Sequence, residues 1–124
     1  MIINDSKTIS EIQEEFIENF PFLRLEFYKK AHQPHEASPK DEKIDSYFKI
    51  GEIRTGVRTG DLSINGHLKV STLEEKFAEE YGLNVQVFRR SGDVWLQTTT
   101  TDEWTLTEQN ERGKDSIHKS DLSI

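Results

Sequence analysis

"INDSKTISEIQEEFIENF", residues 3–20, returns 61 positions later as "INGHLKVSTLEEKFAEEY", residues 64–81. Ile3/Ile64, Asn4/Asn65, Ser10/Ser71, Glu14/Glu75, Phe16/Phe77 and Glu18/Glu79 are identical across the two, and Ile9/Val70, Ile12/Leu73, Gln13/Glu74 and Phe20/Tyr81 are conservative pairs. Each stretch holds a capping-box pattern at the same place, Ser10-x-x-Gln13 and Ser71-x-x-Glu74, and so predicts a helix start there. Beyond it, Ile12, Phe16 and Phe20, like Leu73, Phe77 and Tyr81, recur every four residues and form one apolar stripe per helix, with glutamates on the opposite face. Each helix meets a breaker, Pro21 or Gly82, and alternation of period two follows. "LRLEFYKK" sets Leu23, Leu25 and Phe27 on one face, and "LNVQVFRR" does the same with Leu83, Val85 and Val87, now at an offset of 60.

The repeated order of short strand, turn, helix and strand predicts an α+β fold. It is expected to be ferredoxin-like or a related two-layer sandwich of two tandem βαβ(β) units. Both helices should lie on one face of a mainly antiparallel sheet, with a short helix at the C-terminus. In the second unit "NVQVFRRSGDVWLQT" reads as a hairpin with Ser91-Gly92 at its turn, pairing Val87 with Leu96 and Arg89 with Val94. Its other face carries Phe88 and Trp95. In the first unit the matching strand is "SYFKIGEI", residues 46–53, with Phe48 and Ile50 inward and Gly51 as a bulge. "HLKV", residues 67–70, reads as a lead-in to the second helix. Thr105-x-x-Glu108 opens a third helix over 105–112, with Gly113 as its stop. One domain therefore spans 1–113, with a mobile loop at 31–45 and a flexible tail at 114–124.

The charge is unevenly spread. Residues 11–20 and 72–81 carry −4 and −3, which is the whole net charge of −7. Two acidic helices with no basic stripe make duplex DNA an unfavourable partner, because phosphate binding needs cations to displace counterions. There is no cysteine, so disulfides, thiolate metal sites and cysteine nucleophiles are excluded. No apolar run is long enough to span a membrane, and the N-terminus has no signal pattern, so a soluble, cytoplasmic protein is expected.

Candidate chemistry is sparse. Gly51 and Gly56 have the spacing of a phosphate loop, but Val57-Arg58 stands where Lys and Ser/Thr are needed. His32, His35 and Glu36 could be metal ligands, yet Pro34 denies them the helix that would aim them together. No nucleophile–base arrangement can be read, and the paired carboxylates lie on polar helix faces. No cofactor is called for. The surface that stands out is Phe88 with Trp95, joined by Tyr28 at the matching position of the first unit, with Lys29-Lys30 matching Arg89-Arg90. An aromatic residue followed by two cations at each strand end suits an acidic peptide, a second subunit or a single-stranded nucleic acid. The alternative is that the C-terminal helix covers Phe88 and Trp95 through Trp104 and Leu106.

"GLNVQVFRRSGDVWLQTT" into "DEWTLTEQNERG" resembles a group of small Bacteroidetes proteins sharing the ending W-T-L-x-E-Q-N-x-x-G. The resemblance covers about the last third of the chain and implies no activity. The leading expectation is a non-catalytic module that binds an unknown protein partner, self-associates or responds to a ligand. The alternative is a small enzyme or small-molecule binder with a pocket between the sheet and loops 31–60.

Overall fold

The computed structural model describes residues 1–29, 43–55 and 61–122. The element order is β1 (Ile2–Ile3), α1 (Ile9–Asn19), β2 (Leu23–Tyr28), α2 (Ile50–Ile53), β3 (Leu62–Ser63), α3 (Val70–Tyr81), β4 (Asn84–Ser91), β5 (Val94–Gln97) and α4 (Leu106–Leu122). This is a mixed α+β fold. Its described strands form two antiparallel sheets, β1-β3 and β2-β4-β5, where the sequence predicts one.

All four helices start where the chain leaves a turn, and these starts meet in pairs. The first two backbone amides of a helix have no partner within it. Ile9 and Ser10 of α1 donate to Phe48 O and Ser46 O (2.9 Å each), while Ile50 and Gly51 of α2 donate back to Lys7 O (2.9 Å) and Asp5 O (3.0 Å). The same exchange joins α3 and α4. Val70 and Ser71 donate to Trp104 O (3.0 Å) and Asp102 O (2.7 Å), and Leu106 and Thr107 donate to Leu68 O (2.9 Å) and Gly66 O (3.1 Å). Single bridges, Thr8↔Lys49 and Lys69↔Thr105, close each crossing.

These clasps move the caps from their predicted places. Ser10 and Ser71 are the second residues of their helices. The cap of α1 is Thr8, whose Oγ1 accepts the Glu11 amide (3.1 Å), and α3 is preceded by Lys69, whose side chain has no acceptor to offer. Thr105 and Glu108 do form the expected box, with the Glu108 amide on Thr105 Oγ1 and the Glu108 carboxylate returning to the Thr105 amide (3.1 and 3.3 Å). "HLKV" is a lead-in to α3, as read. "SYFKIGEI" is not a strand: its first half is the turn of the first clasp and its second half is α2. The ladder partner of β2 on that side is Lys43, bridged to Tyr28, and the Ile44 amide donates to Phe27 O (2.8 Å).

The two predicted stripes share one core. Ile12, Phe16, Phe20, Leu73, Phe77 and Tyr81 are buried together with Leu23, Leu25, Phe27, Val85 and Val87, and the Phe27 and Phe77 rings meet edge-on at 5.5 Å. The glutamates opposite the stripes, Glu11, Glu14, Glu18, Glu75 and Glu79, are exposed. In the hairpin the faces are as predicted but the register is two residues away. Arg89 pairs with Leu96, and Ser91 pairs with Val94. The turn is Gly92-Asp93, because Gly92 takes the left-handed conformation (φ 58°) that a tight hairpin requires at this point.

Gly113 does not end the last helix, and the segment expected to be a flexible tail continues as helix to Leu122. Gly113 is buried where α4 crosses the start of β2. A Cβ there would fall 2.8 Å from Phe22 Cβ and 3.0 Å from Phe22 O. The backbone oxygen cannot rotate away, so Gly113→Ala is predicted to destabilise by about 1–3 kcal/mol despite alanine's better helix propensity. The exposed neighbour Lys114→Ala serves as control. Thermal melts in which the two variants coincide would show that this crossing is not tight.

Candidate functional site

Alternation along β4 sorts the predicted surface residues onto two faces. Val85, Val87 and Arg89 face the helices, while Gln86, Phe88 and Arg90 face away. Cross-strand pairing then assembles the second face: Arg24 opposite Phe88, Glu26 opposite Gln86, Tyr28 opposite Asn84, Phe88 opposite Gln97 and Arg90 opposite Trp95. On it the guanidinium of Arg24 lies 5.2 Å from the centroid of the Trp95 ring, and that of Arg90 lies 5.5 Å from it. Lys43 stands 5.9 Å over Phe88. Glu26 balances the cations in part, with Arg24 at 3.1 Å and Lys43 at 3.6 Å. Cations over aromatic faces are held by the ring quadrupole while keeping N–H groups free for carboxylates.

The structure thus brings Phe88, Arg90 and Trp95 together, and separates the rest of the predicted set. Tyr28 shares the face but is buried, and burial, with Glu26 beside it, pushes its phenol up to about 12. Lys29 is exposed. Arg89 points to the helix side, lies 5.5 Å over Trp104 and donates to Gln109 Oε1 (2.9 Å); burial, with Arg112 nearby, lowers its pKa. Lys30, the histidines at 32 and 35, and the glycines at 56 and 60 lie outside the described residues. Trp104 and Leu106 belong to the Arg89 side, so α4 does not meet Trp95 through them. Arg24 and Lys43 were missed by sequence reasoning. The available signal was the register of β2 against β4, which places Arg24 beside Phe88.

A second cluster sits at the α3 edge of β4. Glu74 is raised from the ordinary carboxyl value to about 8 by burial first, then by Asp102 and Glu75, against a stabilising backbone bond from Val87. Asp102 is itself buried. The matching position on α1 is Gln13, whose amide donates to Leu25 O (2.9 Å) and Glu26 Oε2 (3.2 Å). At positions 74 and 86 the acid and the amide are exchanged relative to 13 and 26. Glu74 Oε2 and Gln86 Oε1 are buried without partners. Among the described residues no group of three or more His, Asp or Glu side chains is placed to hold a metal ion, and no helix is long and apolar enough to cross a membrane.

A cleft of about 290 Å³ opens where α2 approaches the start of β4, lined by Ile44, Phe48, Ile53 and Leu83 with Lys29 at the same site. It is at the small end of the range for ligand pockets, roughly 300–1,000 Å³.

Because the folded pKa of Glu74 lies above its unfolded value of 4.5, the folded state holds the proton longer. Stability is full below the unfolded value, falls as pH rises toward 8 and then levels off; the loss is on the order of a few kcal/mol. Glu74→Gln is predicted to remove this slope, so that urea midpoints of wild type and variant diverge between pH 5 and 9. Parallel curves would mean that Glu74 is ionised throughout. No protein-family model, curated protein or solved structure matches this chain.

Proposed function

We propose that this chain is a non-catalytic protein-interaction module, formed from two copies of one βαβ(β) unit, that binds an extended acidic segment of a partner protein along β5. The arrangement is a variant of the ferredoxin-like plan in which the first strand of each copy has left the main sheet. Three regularities support the duplication. A shift of 61 turns the pair Ile2↔Ser63 into itself, a shift of 60 does the same for Glu26↔Gln86, and both clasps use equivalent residues.

The observation that carries the binding reading is the stack of two guanidiniums on Trp95 next to an open strand edge. Among the described residues β5 pairs only with β4, so its outer edge can accept a further strand. Val94 and Leu96 stay 54% and 45% exposed on one face of this strand, while Trp95 with Arg24 and Arg90 occupies the other. An added strand would meet aliphatic groups on one side and cations on the other, so alternating apolar and acidic residues match it best. The acidic outer faces of α1 and α3 disfavour nucleic acid.

Selection from a random nonapeptide library should enrich Asp or Glu at alternate positions. Trp95→Ala is expected to weaken a selected peptide about thirtyfold, as removal of a central aromatic anchor does. Arg24→Glu with Arg90→Glu should reverse the charge preference, and light scattering will report any self-association through the same edge. The reading fails if Trp95→Ala lowers the melting temperature while leaving peptide selection and oligomeric state as in wild type.

A further inference from the structure

We infer that the cleft beside α2 is a docking seat for one amphipathic helix of a partner protein, the counterpart of the seat that α4 fills in the other half of the chain. The inference rests on the duplicated reading above. Under that reading Lys29 corresponds to Arg89, Gly82 to Phe22, Phe48 to Trp104 and Ile53 to Gln109.

In the second half the equivalent space is taken by the chain itself. Arg89 lies over Trp104 and bonds Gln109, Asn110 Oδ1 accepts the Phe22 amide (2.9 Å), Gly113 presses on Phe22, and the Ser116 hydroxyl meets Arg90 O (3.2 Å) and the Gly92 amide (3.1 Å). In the first half α2 stops after Ile53. Arg54 turns into extended backbone (φ −66°, ψ 143°), with its guanidinium 4.5 Å over Tyr81 and 2.9 Å from Asp5 Oδ1. At Arg54 and Thr55, whose amide donates to Tyr81 O (3.0 Å), the described backbone is no longer helical, and the cleft of about 290 Å³ lies beside this end of α2.

Two differences between the halves say what fits. Where α4 must carry Gly113 against Phe22, the first half offers Gly82, so a partner helix can insert a full-sized aliphatic side chain among Ile44, Phe48, Ile53 and Leu83. Where Arg89 is matched by Gln109 of its own chain, Lys29 is exposed and the corresponding residue is the apolar Ile53. The partner helix then brings its own carboxylate, one turn before the aliphatic residue, to meet that ammonium.

The probe is a synthetic peptide with the sequence of α4, residues 106–122, carrying Gly113→Leu and Gln109→Glu. Titrated into the isotope-labelled full chain, it should produce saturable amide shifts at Lys29, Ile44, Ile53 and Leu83. The peptide without the two changes should bind at least about tenfold more weakly, and so should the probe to Ile53→Arg or to the exposed Lys29→Glu. Absence of saturable shifts at millimolar peptide, or equal shifts produced by a short fatty acid alone, would overturn the helix seat. Amide exchange in the same sample separates the two readings. Slow exchange at Ile50, Gly51, Leu106 and Thr107 without peptide shifts overturns the seat and leaves the duplication standing, whereas fast exchange at Ile50 and Gly51 removes the duplication and the seat with it.

Discussion

Eight hydrogen bonds between helix starts hold this fold in its topology. An α-helix begins with amides that nothing inside it can satisfy, and burying them unpaired would cost on the order of 1–3 kcal/mol each. Here each turn supplies carbonyls to the helix that follows the other turn of its pair, so the first two amides of each helix depend on its mate even where Thr8 or Thr105 caps the next ones locally. The exchange also fixes distance: at the second crossing Gly66 O accepts both the Thr107 amide (3.1 Å) and the Thr107 hydroxyl (3.0 Å). Once the crossings are set, α1 and α3 can lay their apolar stripes on one side of β2-β4, and the core follows.

What could be read from the residues was whatever is encoded locally. The stripes of α1 and α3, the alternation of β2 and β4, the faces of the hairpin and the box at Thr105 and Glu108 each depend on spacings of two to four residues, and all appear in the structure. The cap of α3 could not be read in the same way, whereas that of α1, Thr8-x-x-Glu11, is a local box two residues before the Ser10-x-x-Gln13 pattern that competes with it. Ser10 and Ser71 look like caps because their side chains could serve, but the amides at stake are satisfied by carbonyls of Ser46 and Asp102, more than thirty residues away. The segment 46–53 failed for a related reason. Phe48 and Ile50 alternate like a strand, and only the demand of the first clasp for a turn followed by a helix start makes them otherwise. Gly113 shows the converse error, since a glycine near a helix end suggests termination and here serves close packing against Phe22.

The candidate surface was legible in composition and only partly in geometry. Phe88 and Trp95 are placed by the hairpin pattern, whose parity survives a register shift of two residues, and Arg90 enters through the match of Arg89-Arg90 with Lys29-Lys30. Arg89 was grouped with them by proximity in sequence, although adjacent strand residues point to opposite faces. Tyr28 was matched to Phe88 by position, and the match holds in the sheet, but Tyr28 is buried. Arg24 completes the stack on Trp95 and comes from a strand about seventy residues earlier, so only the β2–β4 register could have named it.

On the duplicated reading, the scaffold is shared between the halves and the differences mark where each has specialised. Position 13 is an amide that donates to the acid at 26, whereas at the equivalent positions 74 is an acid and 86 an amide, and Glu74 carries the raised pKa. Phe22 and Trp104 receive α4, whereas Gly82 and Phe48 line the cleft beside α2, with Gly82 O accepting the Thr55 hydroxyl (3.3 Å). The two clasps open helices of very different length, four residues in α2 and seventeen in α4. In the second half α4 packs back on β4 and against Phe22. In the first half the shorter α2 leaves Lys29 exposed at an apolar cleft, whereas in the second half the corresponding Arg89 donates to Gln109 of α4.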